Sequence, residues 1–163
     1  MTTPENPYMK VEDIKTDRSN NDPNGSPPEN KISNMWIIDD DPMASFYIKR
    51  LAELGELASI ITIYDKAQWA IDYLLHHKKS MQHLPDVILL DIYMPELDGW
   101  GFLQEFQNIK SQLTKNIDIF IISSSGHPKD KNRAQTIPEV KAYLQKPLTK
   151  EQLREQILKY KSV

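Results

Sequence analysis

At 163 residues, with 39% apolar and 26% charged side chains and a formal net charge of -3 at neutral pH, the chain has room for one ordinary core plus an appendage. The mild acidity offers no electrostatic footprint for nucleic acid, no apolar run is long enough to span a bilayer, and the first residues do not read as an export signal, so a cytoplasmic protein without direct nucleic-acid contact or membrane insertion is expected. Cysteine is absent, which excludes disulfides, thiol catalysis and cysteine-held metals.

Residues 1–32 contain Pro4, Pro7, Pro23, Pro27 and Pro28, and from Ser19 to Asn30 are almost wholly Ser, Asn, Asp, Gly, Pro and Glu. This is the composition of a disordered extension. Its one weakly apolar face is Tyr8, Val11 and Ile14, which reads as tail more readily than as a docking segment. The remainder, residues 33–163, reads as one domain.

Met35–Ile38 form a short apolar strand that stops at Asp39, Asp40 and Asp41. Pro42 suits the first position of a helix and Asp41 its N-cap, which leaves Asp39 and Asp40 without a structural role. The helix carries Ala44, Tyr47, Ile48 and Leu51 on one stripe and ends near Gly55. A second strand spans Ser59–Ile63, and Asp65 is placed to cap a helix with Ala67, Ala70, Ile71, Leu74 and Leu75 on its buried face. His76 and His77 follow. Adjacent residues on a helix point about 100° apart, so the pair reads as solvated and not as a metal clamp.

Val87–Leu90 is a fully apolar run, too short for a helix, that ends on a single acid, Asp91. An unpaired carboxylate on a buried strand is costly, so its tip must open on water or a cation. Pro95 and the Asp98-Gly99 turn lead into a helix over Trp100–Ile109, with Phe102, Leu103, Phe106 and Ile109 inside. A fourth strand, Ile117–Ile122, ends in Ser123, Ser124 and Ser125. A weak helix follows over Lys129–Thr136, with little but Ala134 and Ile137 to bury. The fifth strand, Val140–Leu144, runs into Lys146-Pro147, and the last helix opens on Thr149-Lys150-Glu151-Gln152, a capping-box pattern, with Leu153, Ile157 and Tyr160 behind it.

Five short apolar strands alternating with five helices call for an α/β fold, a doubly wound parallel sheet covered on both faces. In the flavodoxin-like order 2-1-3-4-5, the strand ends bearing Asp39, Asp40, Asp91, Ser123 and Lys146 converge at one switch point. Three carboxylates so close would raise one another's pKa unless a cation sat between them. An all-oxygen set without His or Cys favours a hard ion, magnesium over calcium. With that charge neutralised, Asp91 is the best nucleophile towards phosphorus, and Lys146 and Ser123 are the donors for the transferred oxyanion.

From about Ser33 to Tyr160 the chain resembles the receiver domain of bacterial two-component response regulators. Asp39-Asp40 match its metal-binding acids, and Asp91, within D-I-Y-M-P-x-x-D-G, matches its phospho-accepting aspartate. Ser123 falls on the strand-4 hydroxyl, Lys146-Pro147 on a Lys-Pro whose bond is usually cis, and Tyr143 on the switch aromatic. The resemblance implies magnesium held by Asp39 (through water), Asp40, Asp91 and the Tyr93 carbonyl. It implies a phosphohistidine donor on a sensor histidine kinase or histidine phosphotransfer protein. It also implies no enzyme beyond magnesium-dependent self-phosphorylation and slow loss of the phosphate. Tyr93 and Ser125 fall where family members tune that loss; a bulky ring and a short hydroxyl there predict a long-lived phosphate. With no sequence after the fifth helix for an output domain, a stand-alone receiver is expected, signalling through a partner protein or relaying its phosphoryl group.

Each residue alone has a plainer reading: acids as caps, hydroxyls as turn formers, Lys146 as solvated, Tyr143 as a core aromatic, and Phe46, off the stripe of its helix, as an incidental exposed ring. Their order on successive strand ends lifts the set above chance. The alternatives are a receiver fold controlled by binding alone, an FMN-binding flavodoxin-like protein, which would want hydroxyls after strand 1, and a metal-dependent phosphatase, which would want a second acid in D-x-D spacing after Asp91.

Overall fold

The computed structural model describes residues 32–161; the Tyr8–Ile14 stretch and the rest of the extension lie outside the described residues. Strands and helices alternate as β1 (Ile32–Ile38), α1 (Pro42–Leu54), β2 (Ala58–Tyr64), α2 (Ala67–His76), β3 (Val87–Leu90), α3 (Gly99–Ile109), β4 (Asp118–Ser123), α4 (Pro128–Gln135), β5 (Val140–Gln145) and α5 (Lys150–Lys161), with a 3₁₀ turn, Lys110–Gln112, closing α3. Every strand pair is parallel and the order is β2-β1-β3-β4-β5. This is the predicted flavodoxin-like winding. No helix among the described residues is long and apolar enough to cross a membrane.

Alternation along the strands divides the core into two layers. Trp36, Ile38, Ile88, Leu90, Ile119 and Ile121 face the helices α2, α3 and α4, whereas Met35, Ile37, Val87, Leu89, Phe120 and Ile122 face α1 and α5. All of β3 is buried, as a central strand covered on both sides must be. The strand β1 starts at Ile32 and not at Met35, because Asp86 accepts from the Ser33 and Asn34 amides at 3.0 and 2.9 Å and fixes a polar stretch that looks unlike a strand.

The helix ends follow local chemistry in most cases. Asp41 caps α1 by accepting from Met43 N at 2.9 Å, with Pro42 in the first turn and Gly55 at the C-cap. In α5 the Thr149 amide donates to Gln152 Oε1 at 2.9 Å and the Gln152 amide to Thr149 Oγ1 at 3.2 Å, so the capping box forms. Three expectations need correction. Lys66, not Asp65, occupies the N-cap of α2, and its side chain makes no capping bond. Leu75 is exposed, and the half-buried Trp69 and Tyr73 do the packing assigned to it. Tyr47 is exposed at the rim, its hydroxyl donating to the Leu148 carbonyl at 2.8 Å and so tying α1 to the turn before α5.

His76 is exposed as expected, but His77 is half-buried: its ring stacks on Tyr73 with centroids 4.0 Å apart, and Nδ1 lies 3.1 Å from the Tyr73 carbonyl. Helix α4 buries only Ala134. It begins at Pro128, where His127 Nδ1 accepts from the Lys129 amide at 3.1 Å.

Candidate functional site

The β-ladder places the acids before any side chain acts. Ile38 pairs with Leu90 on one side and Tyr64 on the other. One residue further, the Asp91 amide donates to the Ile38 carbonyl at 2.9 Å and the Asp39 amide to the Tyr64 carbonyl at 3.0 Å. The two acids therefore stand side by side at the C-terminal edge, where open α/β sheets form their ligand crevice. On the far side, the Lys146 amide donates to the Ser123 carbonyl at 2.8 Å, which brings the end of β5 against the end of β4. The Lys146-Pro147 bond is cis.

Behind Asp91, Asp98 caps α3 by accepting from Gly101 N at 2.7 Å, and the Gly99 amide donates to the Ile92 carbonyl at 2.8 Å. A methyl group on Gly99 would stand 2.6 Å from Ile92 Cα and nearer still to the Asp91 carbonyl oxygen. Only glycine allows α3 to start that close to Asp91.

Ser123, Asp39 and Asp91 are 0%, 3% and 8% exposed, and Asp40 less enclosed. One carboxylate oxygen from each of Asp39, Asp40 and Asp91 lies within 4.8 Å of the others. Lys146 Nζ is 2.7 Å from Asp39 Oδ2 and 3.8 Å from Asp91 Oδ1, while Asp39 Oδ1 accepts from the Asp41 amide at 3.0 Å. Burial pushes the Asp91 carboxyl up to about 6; Asp39 and Asp40 push the same way, and Lys146 opposes them. Three acids against one ammonium leave excess negative charge in an all-oxygen crevice, which suits a hard divalent cation. The donor set therefore fits magnesium.

The predicted residues at the rim form a chain of contacts. Ser123 Oγ accepts from the Ser125 amide at 3.1 Å, and the Tyr143 hydroxyl donates to the Ser125 carbonyl at 2.7 Å. Tyr93 is 57% exposed. Its hydroxyl donates to Asp130 Oδ2 at 2.7 Å, and the Ser125 hydroxyl donates to the same oxygen at 2.6 Å. Nothing in the sequence marks Asp130 out, because between Lys129 and Lys131 it looks like part of a solvated, charged helix face.

Known proteins share this fold. Residues 35–158 match the family model described as the response regulator receiver domain. The chain belongs to the response regulator receiver family. The receiver is 28% identical over 120 residues to the "Probable methanogenesis regulatory protein FilR2" of Methanothrix harundinacea, covering 74% of this chain and 75% of that protein. It is 27% identical to the "Probable C4-dicarboxylate response regulator DctR" of Bacillus subtilis, covering 77% of this chain but only 50% of the relative. A solved two-component response regulator from Cytophaga hutchinsonii superposes with a TM-score of 0.73 at 26% identity, over 82% of this chain and 99% of that one. Five strands in the order 2-1-3-4-5 with five helices are thus the fold of a two-component receiver, a signalling module.

Proposed function

We propose that this receiver takes a phosphoryl group from a phosphohistidine on a sensor histidine kinase or histidine phosphotransfer protein onto Asp91, and then engages a partner protein or hands the group on. One observation carries the reading: Lys146 Nζ stands 2.7 Å from Asp39 and 3.8 Å from Asp91, beside a group of three acids drawn from the two loops that follow β1 and β3.

In the transfer a free Asp91 oxygen attacks phosphorus, the P–N bond breaks, and its electron pair leaves with the donor imidazole. The product is an acyl phosphate on Asp91. Asp39, Asp40, Asp91 and the Tyr93 carbonyl would hold magnesium, which when bound neutralises phosphoryl charge. Lys146 supplies an ammonium to the transferred oxygens. Ser123 already accepts from the Ser125 amide, so its own proton is left to donate to a phosphoryl oxygen. On α1, Phe46 is exposed off the apolar stripe of the helix, and it is the anchor proposed for the donor protein. No turnover of an external substrate is expected beyond slow loss of the phosphate. The action is assigned to the cytoplasm.

The test is intact mass after incubation with a small acyl phosphate and magnesium. A gain of one phosphoryl group, absent in Asp91→Asn, supports the reading. No gain in the parent protein would favour a receiver fold controlled by binding alone.

A further inference from the structure

We propose that Asp130 is a positioning residue for the acceptor site: one oxygen of its carboxylate holds the Tyr93 ring across the mouth of the crevice and joins it to helix α4. The proposal rests on Asp91 being the phosphoryl acceptor.

Tyr93 leaves the loop two residues after Asp91, and its hydroxyl reaches Asp130 in the first turn of α4. The side chain therefore spans the gap between the ends of β3 and β4, the edge on which Asp91 and Ser123 stand. An exposed tyrosine loses rotamer freedom only when something fixes its far end. Here the far end donates to an ionised oxygen at 2.7 Å, a charge-assisted bond of the stronger kind.

The same Oδ2 takes the Ser125 hydroxyl at 2.6 Å. Ser125 is bound on every polar atom: its amide donates to Ser123 Oγ, its hydroxyl oxygen accepts from the His127 amide at 3.2 Å, and its carbonyl accepts from Tyr143. Asp130 thus ties the ring beside the acceptor to the residue that already links Ser123 with Tyr143. Helix α4 depends on such ties because it buries only Ala134. Further ties to the rest of the domain are the Arg133 guanidinium, 4.3 Å over the Trp100 ring of α3, and Lys131 Nζ, which donates to Gln145 Oε1 of β5 at 3.5 Å. A plainer role for Asp130 is to offset the helix dipole at the first turn of α4. That role asks nothing of Tyr93.

With Asp91 phosphorylated, a ring fixed across the mouth narrows the in-line approach of water, and a ring freed from Asp130 does not. The test loads the full chain with a small acyl phosphate and magnesium and follows loss of the phosphoryl group by mass. Asp130→Ala and Tyr93→Phe should each shorten the lifetime several-fold, and the double variant should be no shorter-lived than the faster single one, because both remove the same bond. Asp130→Asn keeps an oxygen that accepts hydroxyls and should stay near the parent. An unchanged lifetime in Asp130→Ala, additive effects in the double variant, or an Asp130→Asn as short-lived as Asp130→Ala would overturn the proposal.

A second readout needs no phosphate. In the unmodified protein Tyr93→Phe, which leaves the sequence of α4 intact, should raise hydrogen exchange over residues 128–135, and unchanged exchange there overturns the clasp. A parent chain that takes up no phosphoryl group refutes the assignment of Asp91, and the exchange measurement still decides on Asp130.

Discussion

The Lys146 ammonium sits closer to Asp39 than to Asp91, 2.7 Å against 3.8 Å, so the lysine pairs chiefly with the most enclosed of the three acids. Lys146→Met would leave Asp39 buried and unpaired. It should lower stability by about 2–3 kcal/mol, at or below the bottom of the range for a fully buried pair, because the lysine side chain keeps 20% of its exposure. Asp40→Asn should act in the opposite direction, since Asp40 adds to the repulsion on Asp91; about 0.5–1 kcal/mol of added stability is expected. Urea titrations in chelator at pH 7.5 measure both. Asp40→Ala should in addition abolish magnesium-dependent phosphorylation, and a normal rate in that variant would refute the metal assignment.

Gly99→Ala tests the approach of α3 to the acceptor. The added methyl group meets backbone at Asp91 and Ile92, not a side chain that can turn away, so relief requires moving either the start of α3 or the strand tip. We expect a loss of at least about 2 kcal/mol in stability, in the range of overpacked core sites. Phosphorylation should slow even at temperatures where the variant is folded. Unfolding curves that coincide with those of the parent would show that the loop yields freely.

The sequence displays this site well because its acids end apolar runs. Val87–Leu90 can be nothing but a buried strand, and an acid at its tip demands an explanation from the residues alone. The Thr149 and Gln152 capping box is equally visible, since capping is a contact between neighbours in sequence. Tyr47 and Asp130 are different. Tyr47 falls on the apolar stripe of α1, and only the carbonyl of Leu148, remote in sequence, draws its hydroxyl to the rim. Asp130 acquires its partners from two loops that no local pattern connects. Asp65 has the right residue type for a cap, but the chain enters α2 one residue later, so Lys66 takes the position.

Phosphorylation should be felt along the path from Ser123 to Tyr143. The Tyr143 hydroxyl is held by the Ser125 carbonyl, and the Ser125 amide by Ser123 Oγ, so a Ser123 drawn towards a phosphoryl oxygen strains both bonds. With so little of α4 buried, the shift is cheap to transmit to the face formed by α4, β5 and α5. Hydrogen exchange within residues 125–148 should change on phosphorylation, and Tyr143→Ala should blunt that change. Identical exchange in the two states would refute this path.

A final prediction concerns pH, and two groups with opposite signs must be separated. Burial lowers the His77 pKa, and the neighbouring His83 and His76, with ring centroids 4.9 and 4.8 Å away, lower it further, while the bond to the Tyr73 carbonyl opposes them. A histidine whose folded pKa lies below its unfolded value near 6.5 takes up its proton first in the unfolded chain. Its contribution to stability is therefore full above pH 6.5 and is lost as pH falls through the folded pKa. Asp91 acts the other way. Its carboxyl is pushed up to about 6, so the folded protein binds that proton first, and lowering the pH from 7.5 to 5.5 adds stability. The net change in the parent mixes the two terms, and the informative quantity is the difference between variants. His77→Phe keeps the stack on Tyr73 and removes the titrating group, and Asp91→Asn removes the other. In the Asp91→Asn background stability should fall between pH 7.5 and 5.5, and adding His77→Phe should flatten most of that fall. A fall of the same size with and without His77 would assign it to another group and refute the prediction.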